Sequence, residues 1–143
     1  AYTAMGDPVN VASRLEGRTK SYGVDILVGE ATRNMVMRSG VQDVVFREID
    51  RIKVKGRDEA ITIYEPLGPE SEAGALRDEL RLWNQALRAY RAQQWDEADV
   101  TLLDLQRLHA GRELYRAYAQ KVADRRRDPP PAHWDGVTAF DEK

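Results

Sequence analysis

The feature that most constrains the fold of this chain is a sharp change in residue type after position 68. Runs of β-branched residues recur up to Gly68, whereas Leu, Ala, Arg and Gln dominate from Leu76 onward and β-branched residues nearly vanish. Runs of β-branched residues favour strands, and unbranched residues favour helices. The sequence therefore predicts a mixed α/β part followed by an all-helical part.

This change divides the 143 residues into four segments. The stretch GPESEAGA is small, polar and rich in helix breakers, which is typical of a linker. The ending DPPPAHWDGVTAFDEK starts with a proline stop and is expected to be extended. The segments are a mixed part at 1–68, a linker at 69–75, a helical tail at 76–127 and an extended C-terminal segment at 128–143.

The mixed part predicts helices and strands in alternation. A helix is expected to begin at an N-cap, Asp7, and to end at a left-handed glycine, Gly23. A buried strand over Val24–Val28 and a short helix that ends at Gly40 follow. VVFREIDRIKVKG is a long strand pattern, and AITIYE returns after a GRDE turn. This order indicates an α+β sandwich with helices on one face of a sheet.

The helical tail predicts three helices from apolar residues at helical spacing. The second helix restarts at Trp95 with Asp96 as its cap, and the third follows Gly111 and ends in the DRRRD run. A helix pair with an aromatic residue before D-E-A resembles one tetratricopeptide-type repeat, which cannot bury its faces alone. The apolar stripes are Trp83, Leu87 and Tyr90, then Trp95, Ala98, Leu102 and Leu105, and finally Leu114, Tyr118 and Val122.

Charge and cysteine content exclude several function classes. The 22 basic and 24 acidic residues give a net charge of −2, so no nucleic-acid or membrane-surface binding is expected. The absence of cysteine excludes disulfides and thiolate metal sites. No apolar run reaches the roughly 18–20 residues of a membrane span. We expect a cytoplasmic segment, and attachment of the parent protein to a membrane through an upstream region is left open.

The stretch GDPVNVASRLEGRTK carries the strongest candidates for chemistry. On a helix, Val11, Ala12 and Leu15 fall on one side, and Asn10 and Arg14 project together from nearly the opposite side. A guanidinium binds phosphate oxygens through two nitrogens, and an amide can hydrogen-bond a ribose. From the spacing alone, an ordinary exposed polar face is the simpler explanation.

A resemblance to a known family changes that weighting. YTAMGDPVNVASRLEGRTK, with its pattern G-x-x-V-N-x-A-x-R-L, resembles the helix-opening motif of class III nucleotidyl cyclases, the adenylate and guanylate cyclases. IDRIKVKGRDEAITIYEPLG resembles the closing hairpin of the same family. The resemblance implies the C-terminal part of a ferredoxin-like α+β catalytic domain that works as a dimer. The expected fold class is therefore α+β, with an all-α tail of two to three helices.

The resemblance implies roles for four residues. Asn10 would orient the ribose, and Arg14 would hold the α-phosphate as its charge redistributes. Lys55, in VKG, matches a lysine that contacts the nucleotide phosphates. Thr3 matches the base-selecting position and indicates ATP, because its hydroxyl can accept a hydrogen bond from the adenine amino group. If Thr3 is misread, the alternative substrate is GTP and the enzyme a guanylate cyclase.

The resemblance also implies metal ions that this chain does not bind. In the family, two Mg²⁺ or Mn²⁺ ions held by upstream aspartates activate the ribose 3′-hydroxyl, so neither Asp7 nor Asp25 is assigned as a ligand. We therefore expect the 143 residues to be inactive alone. The resemblance also implies a homodimer. Because a ferredoxin-like sheet interleaves strands from both halves, we expect a second chain to complete the strands of these residues when they are alone, and a small local sheet covered by the tail helices is the alternative.

Two function classes stay open at this point. The first is an adenylate cyclase that forms cyclic AMP and pyrophosphate from ATP, with the helical tail as a regulatory or dimer-stabilising appendage. The second is a non-catalytic module in which the tail binds a protein partner and the cyclase-like part is a degenerate scaffold. The remaining candidates, Trp83, Trp95, His109, His133 and the Arg125–Arg127 run, are expected to be structural.

Overall fold

The computed structural model describes residues 18–40, 44–54, 58–69 and 74–140. The described residues form two compact units, one containing those of 18–20, 25–74 and 137–140 and the other containing 21–24 and 75–136. The elements are α1 (Thr19–Tyr22), β1 (Val28–Gly29), α2 (Glu30–Ser39), β2 (Val44–Val54), β3 (Ile61–Pro69), α3 (Arg77–Arg91), α4 (Trp95–Leu108), α5 (Glu113–Arg127) and β4 (Val137–Phe140).

The described residues of the first unit form a four-stranded sheet with the order β1-β3-β2-β4. The long strands β2 and β3 are antiparallel, and Ile52 lies opposite Ile61. β1 adds two residues to the other side of β3 in antiparallel register. β4 lies parallel to β2, with Arg51 opposite Val137. The last strand of the chain thus closes one edge of a sheet made from its first half.

Strand β2 contains an irregularity that changes which of its side chains are buried. Its register against β3 shifts between Glu48 and Asp50. Before the shift Arg47 and Ile49 are buried, and after it Asp50 and Ile52 are buried. A β-bulge adds one residue to one strand, and one residue moves the inward set from odd to even positions. The bulge therefore brings a carboxylate into the sheet interior.

Helix α2 is attached to the sheet by polar contacts. The Glu30 carboxylate accepts a hydrogen bond of 2.6 Å from the Thr62 backbone N–H on β3. The Arg33 guanidinium lies 5.2 Å from the centre of the Tyr64 ring. The helix ends at Gly40, whose φ of 68° is the left-handed conformation that favours glycine. Glu30 also occupies a backbone donor of β3 that would otherwise be open to another strand.

The helical unit has an aromatic core. The rings of Trp83 and Tyr118 meet edge to face with centroids 5.0 Å apart, and those of Tyr90 and Tyr118 at 5.2 Å. Tyr115 packs on Trp83 at 5.8 Å. Each such pair contributes about 0.5–1.5 kcal/mol beyond area burial. The buried aliphatic side chains around these rings are Leu87, Leu102, Leu105, Leu114 and Val122.

The segment after α5 packs on this unit through one aromatic residue. The Trp134 ring contacts the Tyr90 ring edge to face at 5.4 Å, and the Arg125 guanidinium lies 4.6 Å from the Trp134 ring centre. The Gln93 side-chain amide donates a 2.8 Å hydrogen bond to the Pro131 carbonyl. Residues 131–134 are therefore held in place although they form no helix or strand.

The α+β fold class predicted from the sequence is confirmed, since a part that contains both helices and strands is followed by three helices. The three apolar stripes of the tail all contain buried core residues. The prediction that helices end at Gly23 and Gly40 in the left-handed backbone conformation is also confirmed. The predicted start of the first helix at Asp7 lies outside the described residues.

Two local predictions are wrong. The strand expected over Val24–Val28 is reduced to Val28–Gly29, and Ile26 within it is 55% exposed. Within the described residues, β1 pairs with β3 at two positions only, Val28 with Tyr64 and Gly29 with Ile63. Helix α4 begins at Trp95 with Gln94 at the N-cap, so Asp96 lies in the first turn and does not cap it.

Candidate active site

The four residues to which the resemblance gives roles, Thr3, Asn10, Arg14 and Lys55, lie outside the described residues. The described residues begin at Arg18, which follows Thr3, Asn10 and Arg14 in the chain. Val54 is the last described residue before Lys55. The elements that flank these positions are therefore what the structure contributes to the candidate site.

The end of β2 is paired on both of its sides. Ile52 lies opposite Ile61 of β3 and opposite Thr138 of β4. Ile52 is fully buried, Lys53 is exposed and Arg51 is half-buried, as the alternation of the IDRIKVK pattern predicts. A strand whose backbone groups are paired on two sides is a firm support for residues that follow it.

A buried carboxylate joins β2 to β4. Asp50 has no exposed surface. One of its oxygens accepts a 2.8 Å hydrogen bond from the Arg51 backbone N–H, and the other accepts a 2.7 Å bond from the Thr138 hydroxyl. Buried carboxylates are costly unless such donors satisfy them. Sequence reasoning missed this pair, although the position of Asp50 between the two isoleucines Ile49 and Ile52 was an available signal.

A largely buried ion pair crosses from β2 to β3. Arg47 and Glu65 occupy opposite register positions. The Arg47 Nε and Nη2 atoms donate to the same Glu65 oxygen at 3.1 and 2.6 Å. The side chains are 2% and 17% exposed. Because its guanidinium is held by Glu65 inside the sheet, Arg47 serves the pairing of the two strands.

The helical unit holds its own buried carboxylate. Glu79 of α3 accepts hydrogen bonds from the Tyr115 hydroxyl and, at 3.0 Å, from Arg112 Nε. His109 Nδ1 lies 3.5 Å from the other Glu79 oxygen. Burial by itself raises the pKa of Glu79, but the Tyr115 hydrogen bond and the Arg112 charge outweigh it and hold the pKa below its usual value. This cluster ties α3 to the start of α5.

The three arginines near the end of α5 all have partners. The Arg126 guanidinium binds Asp96 at 2.5 Å and Asp99 at 2.8 Å on α4, and these bonds raise the pKa of Arg126. Arg127 pairs with Asp124 at 2.7 Å. Arg125 lies over Trp134, as described above. The basic run therefore joins helices and the C-terminal segment.

Within the part of the chain that the structure describes, no group of three or more histidine or carboxylate side chains is placed to hold a metal ion. These residues therefore do not fit the two metal ions that the resemblance implies. Within the same ranges, no helix combines the length and the apolar content needed to cross a membrane.

Comparison with known proteins gives three partial matches. The chain is 54% identical over 65 residues to an adenylate cyclase of Anabaena cylindrica, covering 44% of this chain and 12% of the relative. It is 49% identical over 67 residues to adenylate cyclase 1 of Rhizobium meliloti, covering 47% and 10%. It is 35% identical over 98 residues to the terminal-differentiation-specific adenylate cyclase of Dictyostelium discoideum, covering 67% and 5%.

These matches are strong in identity and short in extent. The aligned stretches span between 5% and 12% of the relatives' length. No family model matches the chain, and no solved structure matches it significantly. The related proteins are nevertheless all named adenylate cyclase, in three different organisms. Over part of its length the chain is thus homologous to adenylate cyclases, which supports its place in a cyclase family.

Proposed function

We propose that this chain is part of a class III adenylate cyclase, which forms 3′,5′-cyclic AMP and pyrophosphate from ATP. The observation that carries the proposal is the 54% identity, over 65 residues, with a protein named adenylate cyclase. The motif G-x-x-V-N-x-A-x-R-L at residues 6–15 adds support that is independent of any single relative, because its polar positions suit phosphate chemistry.

In the proposed reaction the ribose 3′-hydroxyl oxygen attacks the α-phosphorus and its proton is released to water, while the bond from that phosphorus to the leaving pyrophosphate oxygen breaks. Negative charge shifts over the phosphate oxygens as this happens, and fixed cations stabilise it. Arg14 would hold the α-phosphate oxygens, and Lys55 would contact the phosphates. Asn10 would orient the ribose, and Thr3 would accept a hydrogen bond from the adenine amino group.

The described part of β2 supports the role given to Lys55. In the sequence pattern Lys55 shares the side of β2 that carries Arg51 and Lys53, and these are the less buried side chains, whereas Ile52 is fully buried. Charged side chains on that side are therefore on the open side of the strand. A phosphate contact requires such an accessible cation.

Two parts of the proposal concern the complete protein. Mg²⁺ or Mn²⁺ would be held by aspartates upstream of residue 1, and the active sites would form between two copies in a homodimer. The 143 residues alone would then have no cyclase activity. We also propose that the tail contributes regulation or dimer stability, with a protein partner as one form that this regulation could take.

The test uses the longer protein that contains this sequence. The purified protein is given ATP with magnesium or manganese, and cyclic AMP is measured. We expect R14A to lower kcat by roughly 100- to 1,000-fold, because a preorganised charge at the transition state is lost. The matched control is R38A, which removes an exposed arginine from the last turn of α2 and should leave kcat unchanged.

Each outcome separates a different part of the proposal. An R14A protein with normal turnover would remove Arg14 from the mechanism. Formation of cyclic GMP in preference to cyclic AMP would show that Thr3 is misread. A folded wild-type protein that forms neither product would refute the cyclase function and favour the non-catalytic interaction module.

A further inference from the structure

The strand β4 is joined to β2 over a long distance in sequence. Val137–Phe140 lies parallel to residues 51–54, and the hydrogen-bonded pair Thr138 and Asp50 is 88 residues apart. Closing so long a loop costs conformational entropy, which the contacts at its end must offset. Four paired residues at the edge of a sheet form few backbone hydrogen bonds. An additional side-chain hydrogen bond therefore contributes substantially to keeping β4 paired with β2.

Asp50 supplies that contact because of the bulge in β2. The bulge leaves Ile49 without a position opposite it on β3 and brings the Asp50 side chain to the buried side. There one carboxylate binds its own strand, through the Arg51 N–H, and β4, through the Thr138 hydroxyl. The carboxylate thereby fixes β4 against the segment of β2 that directly follows the bulge.

We infer that β4 is a positioning element of the cyclase site, held by the Asp50–Thr138 pair and acting by immobilising residues 51–54 of β2. The inference rests on the proposed function, since Lys55, with its phosphate contact, is the next residue in the chain. A cation stabilises a phosphoryl-transfer transition state when its position is fixed. If β4 separates from β2, the end of β2 is paired on one side only, and Lys55 is positioned less precisely.

The experiment compares three variants of the longer protein. T138V removes the hydroxyl and keeps the branched shape, and T138S keeps the hydroxyl. T62V makes the same Thr-to-Val change on β3, opposite Arg51, where the described contact to Glu30 uses the backbone N–H. Hydrogen exchange of those backbone amides of residues 51–54 that face β4 reports docking of β4, and KM and kcat for ATP report the state of the site.

We expect T138V to exchange these amides roughly 5- to 150-fold faster, the factor that follows from a buried acceptor losing its donor. We also expect its KM for ATP to rise at least about threefold, since phosphate binding loses a fixed cation. T138S and T62V should remain near wild type in both measurements. Mere loss of folded protein would lower the apparent kcat and leave KM unchanged, so the rise in KM identifies positioning.

The contrary outcomes are separate from failure of the proposed function. Unchanged exchange in T138V would show that the pair does not hold β4. Faster exchange with unchanged KM in an active enzyme would overturn the positioning role and leave the cyclase function standing. A wild-type protein without cyclase activity would refute the cyclase function together with the positioning role, whereas the exchange rates would still decide whether Asp50 and Thr138 dock β4.

Discussion

Replacement of Glu79 by glutamine should destabilise the helical unit far more than the same change at Glu113. Both glutamates bind an arginine, Glu79 to Arg112 at 3.0 Å and Glu113 to Arg116. They differ in exposure, because the side chain of Glu79 is 3% exposed and that of Glu113 is 61% exposed. The comparison therefore holds the chemistry constant and varies burial.

The magnitude follows from the contacts of Glu79. Hydrogen bonds to a charged group contribute about 1.5–3 kcal/mol each, and a glutamine oxygen can still accept from Tyr115 or Arg112. The loss of one charged contact therefore costs about 2–3 kcal/mol. The full penalty of a broken buried pair does not apply, because the Arg112 side chain is 42% exposed and water can solvate it. E113Q should cost less than about 0.5 kcal/mol, as exposed pairs do.

Urea denaturation of the chain, followed by circular dichroism, measures both free energies of unfolding. The pKa of Glu79 is lower in the folded chain than its ordinary value of 4.5. Its contribution is therefore present in full above that ordinary value and is lost as the pH falls through the folded pKa. The difference between wild type and E79Q should shrink at acid pH. Equal destabilisation by E79Q and E113Q at pH 7 would refute this reasoning about burial.

Two further predictions concern the segment that leads into β4. Gly136 has a φ of 83°, and a Cβ there would lie 2.6 Å from the Cγ of Arg91. The G136A change should therefore lower the free energy of unfolding by about 1–2 kcal/mol. An unchanged midpoint of urea denaturation would contradict this. W134A removes ring contacts with Tyr90 and Trp95 and the Arg125 cation–π contact, and should cost about 1–3 kcal/mol. The W134A change should also lower the denaturation midpoint and alter the tryptophan fluorescence. A midpoint equal to that of wild type would count against packing of the C-terminal segment on the helical unit.

The parts of the fold that could be predicted are those that depend on local spacing. Trp83, Leu87 and Tyr90 recur at helical intervals, and all three are buried. Gly40 ends its helix because glycine adopts the left-handed conformation without strain. In both cases residues within about two turns of one another determine the structure, so a single sequence contains the necessary information.

The parts that could not be predicted depend on residues far apart in sequence. The C-terminal VTAF segment is too short to indicate its strand partner, and its pairing with residues 51–54 is parallel and distant. The bulge at Asp50 could not be predicted from the sequence either, because an alternating pattern of residues does not show where a strand contains one additional residue. Without the bulge Asp50 would be placed on the opposite side of β2 from Ile49, and its bond to Thr138 would not be foreseen.

For the candidate site, sequence and structure contribute different information. The roles of Asn10, Arg14, Lys55 and Thr3 come from the resemblance and stay predictions, since these residues lie outside the described ranges. Spacing alone could not separate a catalytic pair from an exposed helix face, because both place polar side chains one turn apart. The structure instead shows how β2 is held on both sides up to Val54.

The pairing of β4 with β2 reduces the need for strand exchange. Strand exchange is expected where strands of this chain lack neighbours and can pair with a second copy. Over residues 51–54, the chain's own C-terminal strand supplies the neighbour, and the Thr138 hydroxyl holds it to Asp50. On β3, the Glu30 carboxylate occupies the Thr62 N–H. The proposed homodimer therefore does not need exchanged strands at these positions, and it rests on the resemblance, in which two complete catalytic domains share their active sites.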